Sequence, residues 1–296
     1  MSVVLNTFNR SSLVVRAIES VLSQTAGDLE LIVVDDGSND DTAESVGSIS
    51  DPRLMYVHQE NAGLSVGRNN GANHASGEWI IFLDDDDEVE PEWLEAFHGV
   101  LDTGVGIVFS GHKTVNTING SVIEFLPKPM GAAFGNVTGG FLAGSWIMRR
   151  DLFDATGGFL TELPTLVQSE LLLRAIPSCY SRGLTVQSID TTKFLYSVTP
   201  GLERPTLTAD LAIRAASMIL DRHVAAFAAD DESRASWNAV IGVAAARSCR
   251  WTLARVHFFR AARAQPANLK NWARLVITCC PGRRRVWPTQ LNSAGP

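Results

Sequence analysis

The chain has 296 residues, of which 45% are hydrophobic and 19% are charged. This composition is typical of a globular protein and excludes a disordered or fibrous chain, and no apolar run is long enough to span a membrane. The net charge of −7 makes nucleic acid an unexpected partner. Because the first residues turn polar at Asn6, we expect no signal peptide.

Strands and helices alternate through the first hundred residues. Short apolar runs predict strands, and apolar residues recurring every three or four positions predict helices. The predicted strands are 2–5, 29–34, 53–57 and 79–83. Helices are expected after the capping pair Ser11 and Ser12, over 41–49, and from about Ser65 to Gly77. This alternation is typical of an α/β fold, with a mainly parallel sheet and helices on both faces.

The middle of the chain is less regular, and its end is helical. Strands are predicted over 105–109, 121–126, 145–148, 185–189 and 193–198, and helices over 151–155 and 166–176. From about Thr206 the sequence is rich in Ala and Arg, which predicts three or four helices with breaks near 229–231 and 265–266 and a frayed end from Gly282. We therefore divide the chain into an α/β domain, 1–200, and an appended α-helical C-terminal region, 201–296.

The apolar run 79–83 leads directly into four carboxylates, Asp84 to Asp87. Open α/β sheets bind ligands at the carboxyl ends of their strands. Adjacent carboxylates repel one another unless water or a cation compensates them, and hard ions such as Mg²⁺ and Mn²⁺ prefer oxygen ligands. The plainer interpretation is a solvated acidic loop, with Asp87 capping a helix that begins near Pro91.

Other polar groups are expected at the same edge of the sheet. The first strand is followed by Asn6 and Phe8, the second by Asp36, and the third helix carries Arg68. A ring can pack on a base, a carboxylate can accept a base N–H, and Arg with a metal can neutralise a pyrophosphate. With the acid run, these groups predict a nucleoside diphosphate site. Each has a plainer alternative: core packing for Phe8, a surface ion pair for Arg68, a turn for Asp36.

In this order the residues resemble the family 2 glycosyltransferases with the GT-A fold. The matching segments are 2–10 (SVVLNTFNR), 33–38 (VVDDGS), 61–65 (NAGLS), 67–69 (GRN) and 77–86 (GEWIIFLDDD), followed by a likeness within 144–159. The resemblance covers roughly 1–200 and is specific over the first hundred residues. It implies a Rossmann-like mixed sheet, a UDP- or dTDP-sugar donor, a Mg²⁺ or Mn²⁺ ion, and transfer with inversion at the anomeric carbon.

The resemblance also implies roles for individual residues. Asn6, Phe8 and Asp36 would contact the nucleobase. Arg68 would lie near the base and the diphosphate, and Asp85 would face the ribose or the sugar.

Two further carboxylates are implied as metal ligands. Asp86 would bind the ion on the diphosphate, and Asp84 completes the Asp-x-Asp pattern of the family. A metal there would act as a Lewis acid that stabilises the leaving nucleoside diphosphate.

The sequence departs from the family at the catalytic base. Inverting members usually place a Glu-Asp pair at the start of a helix that ends in Leu-x-x-Arg, and the Asp deprotonates the acceptor hydroxyl. Anchored on 170–174, the Asp position here is Gln168, whose amide cannot act as a general base near neutral pH. Either Glu170 or Glu162 acts as the base after a local shift, or His112 acts as the base. Alternatively, the acceptor needs little activation, or the protein binds a nucleotide sugar without efficient transfer.

Charge is distributed unevenly along the chain. Residues 1–200 have 11 Lys and Arg against 26 Asp and Glu, a net of −15, whereas residues 201–296 have 14 against 6, a net of +8. The basic region can dock on the acidic domain, which we favour slightly, on a partner, or on an anionic membrane as a peripheral contact at its inner face. The basic residues considered for a membrane contact are Arg247, Arg250, Arg255, Arg260, Arg263 and 283–285.

Other features of the sequence indicate where the acceptor binds, which compartment is expected and which other enzyme classes are disfavoured. Loops 131–145 and 157–168 are expected to receive the acceptor, which is a glycan, a lipid-linked sugar or a small natural product. The four cysteines have neither disulfide nor metal-ligand spacing, which favours the cytoplasm. A nucleotidyltransferase or a dinucleotide-binding oxidoreductase would need a Gly-rich loop after the first strand, and 6–11 contains no glycine.

Overall fold

The computed structural model describes residues 1–198 and 208–280. The strands within them are β1 (Ser2–Thr7), β2 (Glu30–Asp35), β3 (Leu54–His58), β4 (Trp79–Asp84), β5 (Glu88–Val89), β6 (Val105–Asn116), β7 (Val122–Phe125), β8 (Lys128–Pro129), β9 (Thr138–Gly139), β10 (Trp146–Arg149) and β11 (Thr185–Val198). The α-helices within them are α1 (Ser11–Leu22), α2 (Thr42–Gly47), α3 (Leu64–His74), α4 (Trp93–His98), α5 (Arg150–Thr156), α6 (Val167–Ser181), α7 (Ala209–Arg222), α8 (Val224–Ala228), α9 (Asp231–Arg247), α10 (Trp251–Ala264) and α11 (Leu269–Cys279). None of these helices combines the length and the apolar character needed to cross a membrane.

The described chain forms two compact units. The first contains Met1–Met130, Val137–Thr161 and residues 168–198, and the second contains Gly131–Asn136, Glu162–Val167 and residues 208–280. Every strand given above lies in the first unit, and α7 to α11 lie in the second. The boundary predicted at 200/201, the frayed end from Gly282 and the basic residues 283–285 lie outside the described residues.

The main sheet of the first unit is mixed, which confirms the predicted α/β class. Its strand order is β3-β2-β1-β4-β10-β6-β11-β5, and β7 pairs with β6. Strands β3, β2, β1 and β4 run parallel to one another. Strand β10 is antiparallel to both β4 and β6, so it joins the parallel half to the rest of the sheet. The carboxyl ends of β1, β2 and β4 therefore meet at one edge.

Helices cover both faces of the parallel half, as predicted. Val3 and Leu5 of β1 pack in one apolar core with Val14 of α1. Because side chains alternate along a strand, Val4 points to the other face. There α3 lies so close that a Cβ added at Gly71 would be 2.4 Å from Val4 Cγ1. The absence of a side chain at Gly71 thus sets the distance between α3 and β1.

Some predicted elements were wrong in detail. The two strands predicted over 185–198 are the single strand β11, because its long neighbour β6 pairs along its length and a register shift absorbs residues 190–193. The C-terminal region has five helices within the described residues instead of three or four. Two breaks were not predicted, one at His223 between α7 and α8 and one over 248–250 between α9 and α10, and neither contains a Pro or Gly to signal it.

Candidate functional site

Three parallel strands bring most of the predicted site residues to one edge of the sheet. The register sets Asn6 of β1 beside Asp84 of β4, and Thr7 beside Asp35 of β2. Asp36 follows directly after β2 and hydrogen-bonds back to β1, since its backbone N–H donates to the carbonyl of Thr7 at 2.9 Å. The sequence prediction that these strand ends converge is therefore confirmed by the fold.

The acid run separates into a cluster and one carboxylate that points elsewhere. Oxygens of Asp84, Asp86 and Asp87 lie within 4.8 Å of one another. Asp87 is buried, and α4 begins at Trp93 with Glu92 at its N-cap position, so the predicted helix-cap role of Asp87 was wrong. The chain turns back at this point, with the Asp87 N–H donating to the Asp84 carbonyl, and this turn brings Asp87 into the cluster.

Asp85 is held by residues at the end of β1. Its Oδ2 accepts from Thr7 Oγ1 at 2.8 Å, and its Oδ1 accepts from Arg10 Nη1 at 2.8 Å. The same Nη1 lies 3.3 Å from Asp86 Oδ2. Burial raises the pKa of Asp85 to about 6, although Arg10 and the Thr7 hydrogen bond act in the opposite direction.

Arg10 is a site residue that the sequence reasoning did not single out. It occupies the N-cap position of α1, where no side chain caps the helix. Its position directly after the polar end of β1 was the available signal. The side chain instead bridges two carboxylates of the acid run, which offsets their mutual repulsion.

Arg68 is fully buried beside the acid cluster, which excludes a surface ion pair. Its Nη2 forms an ion pair with Asp84, and its guanidinium lies 5.3 Å from the ring centroid of Phe159. With its amide oxygen turned inward, Gln168 accepts from Arg68 Nη1 at 3.0 Å and from Nη2 at 3.3 Å. The residue at the expected base position therefore contacts Arg68.

Buried polar atoms near Arg68 lack hydrogen-bond partners among the described residues. They are Arg68 Nε, Asn6 Oδ1 and Ser65 Oγ. A Cβ added at Gly67 would lie 1.7 Å from Asn6 Oδ1, so only glycine leaves room for that amide. Unpaired buried polar groups are costly, and they are common where a polar ligand completes the hydrogen bonding.

Asp36 holds the loop that precedes α3. Its Oδ1 accepts from Gln59 Nε2 at 2.6 Å and from the Ala62 N–H at 2.9 Å. Its Oδ2 accepts from the Gly63 N–H at 2.8 Å. These bonds go beyond the plain turn considered from the sequence, because they tie the end of β2 to the start of the helix that carries Arg68.

Phe8 is 42% exposed, which excludes the core-packing alternative. It follows β1 directly, one residue after Thr7, whose side chain contacts Asp85. An exposed ring at the end of a strand can stack on a planar ligand.

The candidate bases have other partners. Glu170 is fully buried, and Arg174 donates to both of its carboxylate oxygens, with Nη2 at 2.7 Å from Oε2. Glu162, in the second unit, forms an exposed ion pair with Arg222 at 3.3 Å. The ring of His112 stacks on Phe125 at 4.9 Å, and burial together with Lys128 lowers the pKa of His112.

The known proteins that this chain resembles are glycosyltransferases. Residues 2–157 match the family model described as Glycosyl transferase family 2. The GalNAc(5)-diNAcBac-PP-undecaprenol beta-1,3-glucosyltransferase of Campylobacter jejuni is 45% identical over 113 residues, which cover 37% of each chain. The putative colanic acid biosynthesis glycosyl transferase WcaA of Escherichia coli is 40% identical over 100 residues, covering 33% of this chain and 36% of that one. These matches span little more than a third of either relative.

Solved structures match over nearly the whole chain at low sequence identity. S. aureus TarS 1-349 in complex with UDP-GlcNAc has a TM-score of 0.59 and 16% identity, covering 100% of this chain and 97% of that one. Mannosyltransferase PcManGT from Pyrobaculum calidifontis, in complex with GDP-Man and Mn²⁺, has a TM-score of 0.54 and 16% identity, covering 98% and 83%. At this identity the likeness establishes the fold, and the predicted GT-A fold is confirmed.

Proposed function

Since the chain belongs to glycosyl transferase family 2, we propose that it transfers a sugar from a nucleoside diphosphate donor to an acceptor hydroxyl. The main observation that supports this proposal is the convergence of the acid cluster, Arg68 and Asp36 at the carboxyl ends of three parallel strands. The similar structures were solved with UDP-GlcNAc and with GDP-Man. For this chain we propose a UDP- or dTDP-linked sugar.

The donor would lie across the ends of β1, β2 and β4. Phe8 would stack on the base, while Asn6 offers an unpaired acceptor beside it. Asp36 would shape the base pocket through the 59–63 loop, to which its carboxylate is bonded. Arg68 would face the diphosphate, and Asp85 would contact the ribose or the sugar.

The carboxylates fit a divalent ion on the diphosphate. Asp84, Asp86 and Asp87 bring oxygens within 4.8 Å, which is a hard donor set suited to Mg²⁺ or Mn²⁺. Asp84 and Asp86 would be ligands, as the sequence predicted, and Asp87 is added from the structure. When bound, the ion supplies Lewis-acid stabilisation of the leaving diphosphate.

The base of an inverting transfer is the open part of the mechanism. The Gln168 amide contacts Arg68, and Glu170 is neutralised by Arg174, so neither offers a carboxylate to an acceptor hydroxyl. These contacts favour a second candidate function, a nucleotide-sugar-binding protein with weak or no transfer. In either case we propose that Gln168 positions Arg68 and that Glu170 stabilises the fold.

The proposed acceptor follows from the sequence and from one relative. A glycan, a lipid-linked sugar or a small natural product would suit the loops 131–145 and 157–168. The related C. jejuni protein is described as acting on an undecaprenol-linked glycan, which makes lipid-linked acceptors the first ones to test.

Calorimetry with a panel of UDP-, dTDP- and GDP-sugars, with and without Mn²⁺, tests the proposal. We expect one donor class to bind and the metal to strengthen binding. A transfer and hydrolysis assay on the donor that binds then separates the two functions: turnover supports the transferase, and binding without turnover supports the binding protein. Binding of no donor in the panel would contradict both.

A further inference from the structure

Helix α11 turns its apolar side away from its own unit. Leu269, Trp272 and Val276 are 78%, 37% and 59% exposed, and their spacing places them on one helix face. The buried residues of this helix are the polar Asn271 and Thr278. A surface helix normally buries its apolar stripe, so the exposed apolar side of α11 indicates a surface that binds a partner.

The neighbouring helix α10 has a similar outer face. Val256 and Phe259 are 42% and 47% exposed, three residues apart. Arg255, Arg260 and Arg263 are also exposed on this helix. Long basic side chains beside exposed apolar residues are typical of helices that lie in a membrane interface.

The charge of this part of the chain has one sign. From Ser233 to the C-terminus the sequence contains 11 Lys and Arg and no Asp or Glu. The described ion pairs of α7 to α11 engage Arg222, Arg234 and Arg250. Among the described residues, no ion pair engages Arg255, Arg260, Arg263, Lys270 or Arg274.

A cavity of about 550 Å³ lies between α7, α9 and α11. Arg247, Lys270 and Arg274 line it, together with amides and small apolar side chains, and none of the described lining residues has a carboxylate. Because Lys270 and Arg274 lie on the side of α11 away from Leu269, Trp272 and Val276, this cavity faces the helices of the unit, and the exposed arginines of α10 are the cations available to an outer surface.

We propose that α10 and α11 dock on an anionic lipid bilayer. Leu269, Trp272 and Val276 would enter the interface, while the exposed Arg260 and Arg263 of α10 would contact lipid phosphates. With 11 residues, α11 is about 16 Å long, roughly half the hydrocarbon thickness, so it would lie in the plane of the membrane.

The charge argues for a lipid surface over a second copy of the chain. Two copies meeting through this face would bring like charges together, which is unfavourable. A membrane rich in anionic lipid instead offers continuous negative charge beside an apolar layer. The proposal does not depend on the donor or on transfer activity.

Vesicle flotation of the full chain tests the docking. We expect binding to phosphatidylcholine vesicles that carry about 30% phosphatidylglycerol, and none to phosphatidylcholine alone. Binding should weaken between about 0.05 M and about 0.5 M salt, because salt screens the charges. The double variants Leu269→Ser/Val276→Ser and Arg260→Glu/Arg263→Glu should each lower binding about tenfold or more.

Val122→Ser/Ile123→Ser is the matched control, because it removes two comparably exposed apolar side chains from β7 in the first unit. It should leave vesicle binding unchanged. The emission of Trp272, isolated by subtracting the spectrum of Trp272→Phe, should shift to the blue on anionic vesicles.

Two outcomes would overturn the proposal. One is no vesicle binding at low salt, or equal binding by the wild type and Leu269→Ser/Val276→Ser. The other is a dimer in light scattering that this variant abolishes, without vesicle binding, which would assign the face to a second copy.

Discussion

At the scale of single residues, two arginines determine how the strand-end carboxylates are compensated. Arg10 bridges Asp85 and Asp86, and the buried Arg68 pairs with Asp84. Carboxylates this close together would otherwise repel one another or take up protons. The two arginines offset part of this repulsion, so the carboxylates can lie close together at the site where we propose a metal-diphosphate complex.

Asp86→Asn should lower donor affinity in the presence of Mn²⁺ by at least about tenfold, because the variant loses an anionic metal ligand. Without metal, the affinities of variant and wild type should be similar. The matched control is Asp41→Asn, an exposed residue whose side chain makes no capping bond to α2. Isothermal titration with and without Mn²⁺ measures both, and an unchanged metal dependence would remove Asp86 from the metal site.

Glu170→Gln should lower the free energy of unfolding by about 2–3 kcal/mol, because it leaves Arg174 without its buried counter-charge. Arg174 also donates to the carbonyl of Gly158 at 2.7 Å, so the loss would reach the preceding loop. The folded variant should keep donor binding and any transfer activity. Denaturant titration and activity per folded molecule are the measurements.

Glu162→Gln is the companion to this test, since the ion pair of Glu162 with Arg222 is exposed. It should change neither stability nor activity. Loss of transfer with normal stability in either variant would identify that carboxylate as the base.

At the scale of elements, glycines set how closely α3 approaches the sheet. A Cβ at Gly71 would meet Val4 Cγ1 at 2.4 Å and Val34 Cγ2 at 3.0 Å. The helix therefore lies closer to β1 and β2 than any side chain would permit. This approach places Arg68, one turn earlier on α3, at the edge where β4 ends.

Gly71→Ala should destabilise the protein by about 1–3 kcal/mol, because overpacking against β1 and β2 exceeds the gain in helix propensity of about 1 kcal/mol. Gly47→Ala in α2 is the matched control, since a Cβ there would meet nothing within 4 Å. That variant should be neutral or slightly more stable. Thermal unfolding of the pair measures the difference, and equal behaviour would contradict the packing argument.

Glu30 joins three elements at the opposite edge of the sheet. Its Oε1 accepts from Ser2 Oγ at 2.6 Å, from the Ser76 N–H at 2.6 Å and from the Gly77 N–H at 2.9 Å. Partial burial raises the pKa of Glu30, but these hydrogen bonds outweigh it and hold the pKa below its usual value.

Glu30→Gln should therefore cost about 1 kcal/mol of stability near neutral pH, a figure that allows for partial solvent exposure. A depressed pKa in the folded state stabilises above the pKa of the unfolded state, and this stabilisation is lost as the pH falls through the folded value. The gap between wild type and variant should thus close below about pH 4. Urea titrations across this pH range measure the free energies of unfolding, and a difference between wild type and variant that does not change with pH would contradict the prediction.

At the scale of the whole molecule, the two units divide the work that we propose. All the donor-site residues belong to the first unit, and the exposed apolar face of α11 belongs to the second. Residues 1–200 have a net charge of −15, whereas the charged residues of α10 and α11 are all basic.

Saturation with the donor and Mn²⁺ should stabilise the first unit, by about 2.7 kcal/mol at a free donor concentration of about 100 Kd. Hydrogen exchange should slow in β1, β2, β4 and the 59–63 loop, and remain unchanged in α9 and α10. Mass spectrometry of peptides from both units measures the exchange, and the protein with Mn²⁺ but without the donor is the control. Equal protection of α9 and α10 would show that donor binding is not confined to the first unit.

Much of the candidate site could be predicted to lie at one edge of the sheet, because its residues follow the strands directly in sequence. Each strand end is a short apolar run followed by polar residues, so Asn6, Asp36 and Asp84 were found from period and order alone. The parts that were missed depend on chain reversals. The turn after β4 brings Asp87 into the acid cluster, and the start of α1 brings Arg10 across to Asp85.

The sequence by itself determined the α/β class, the convergence of three strand ends and the acid run at the candidate site. These features follow from apolar periodicity and from the order of the strands, which depend on residues close together in sequence. Only the tertiary structure decided which partner each charge has. Gln168 meets Arg68, Glu170 is neutralised by Arg174, and α11 faces outward with its apolar side. Pairing and exposure depend on distances between residues far apart in sequence, which no local pattern records.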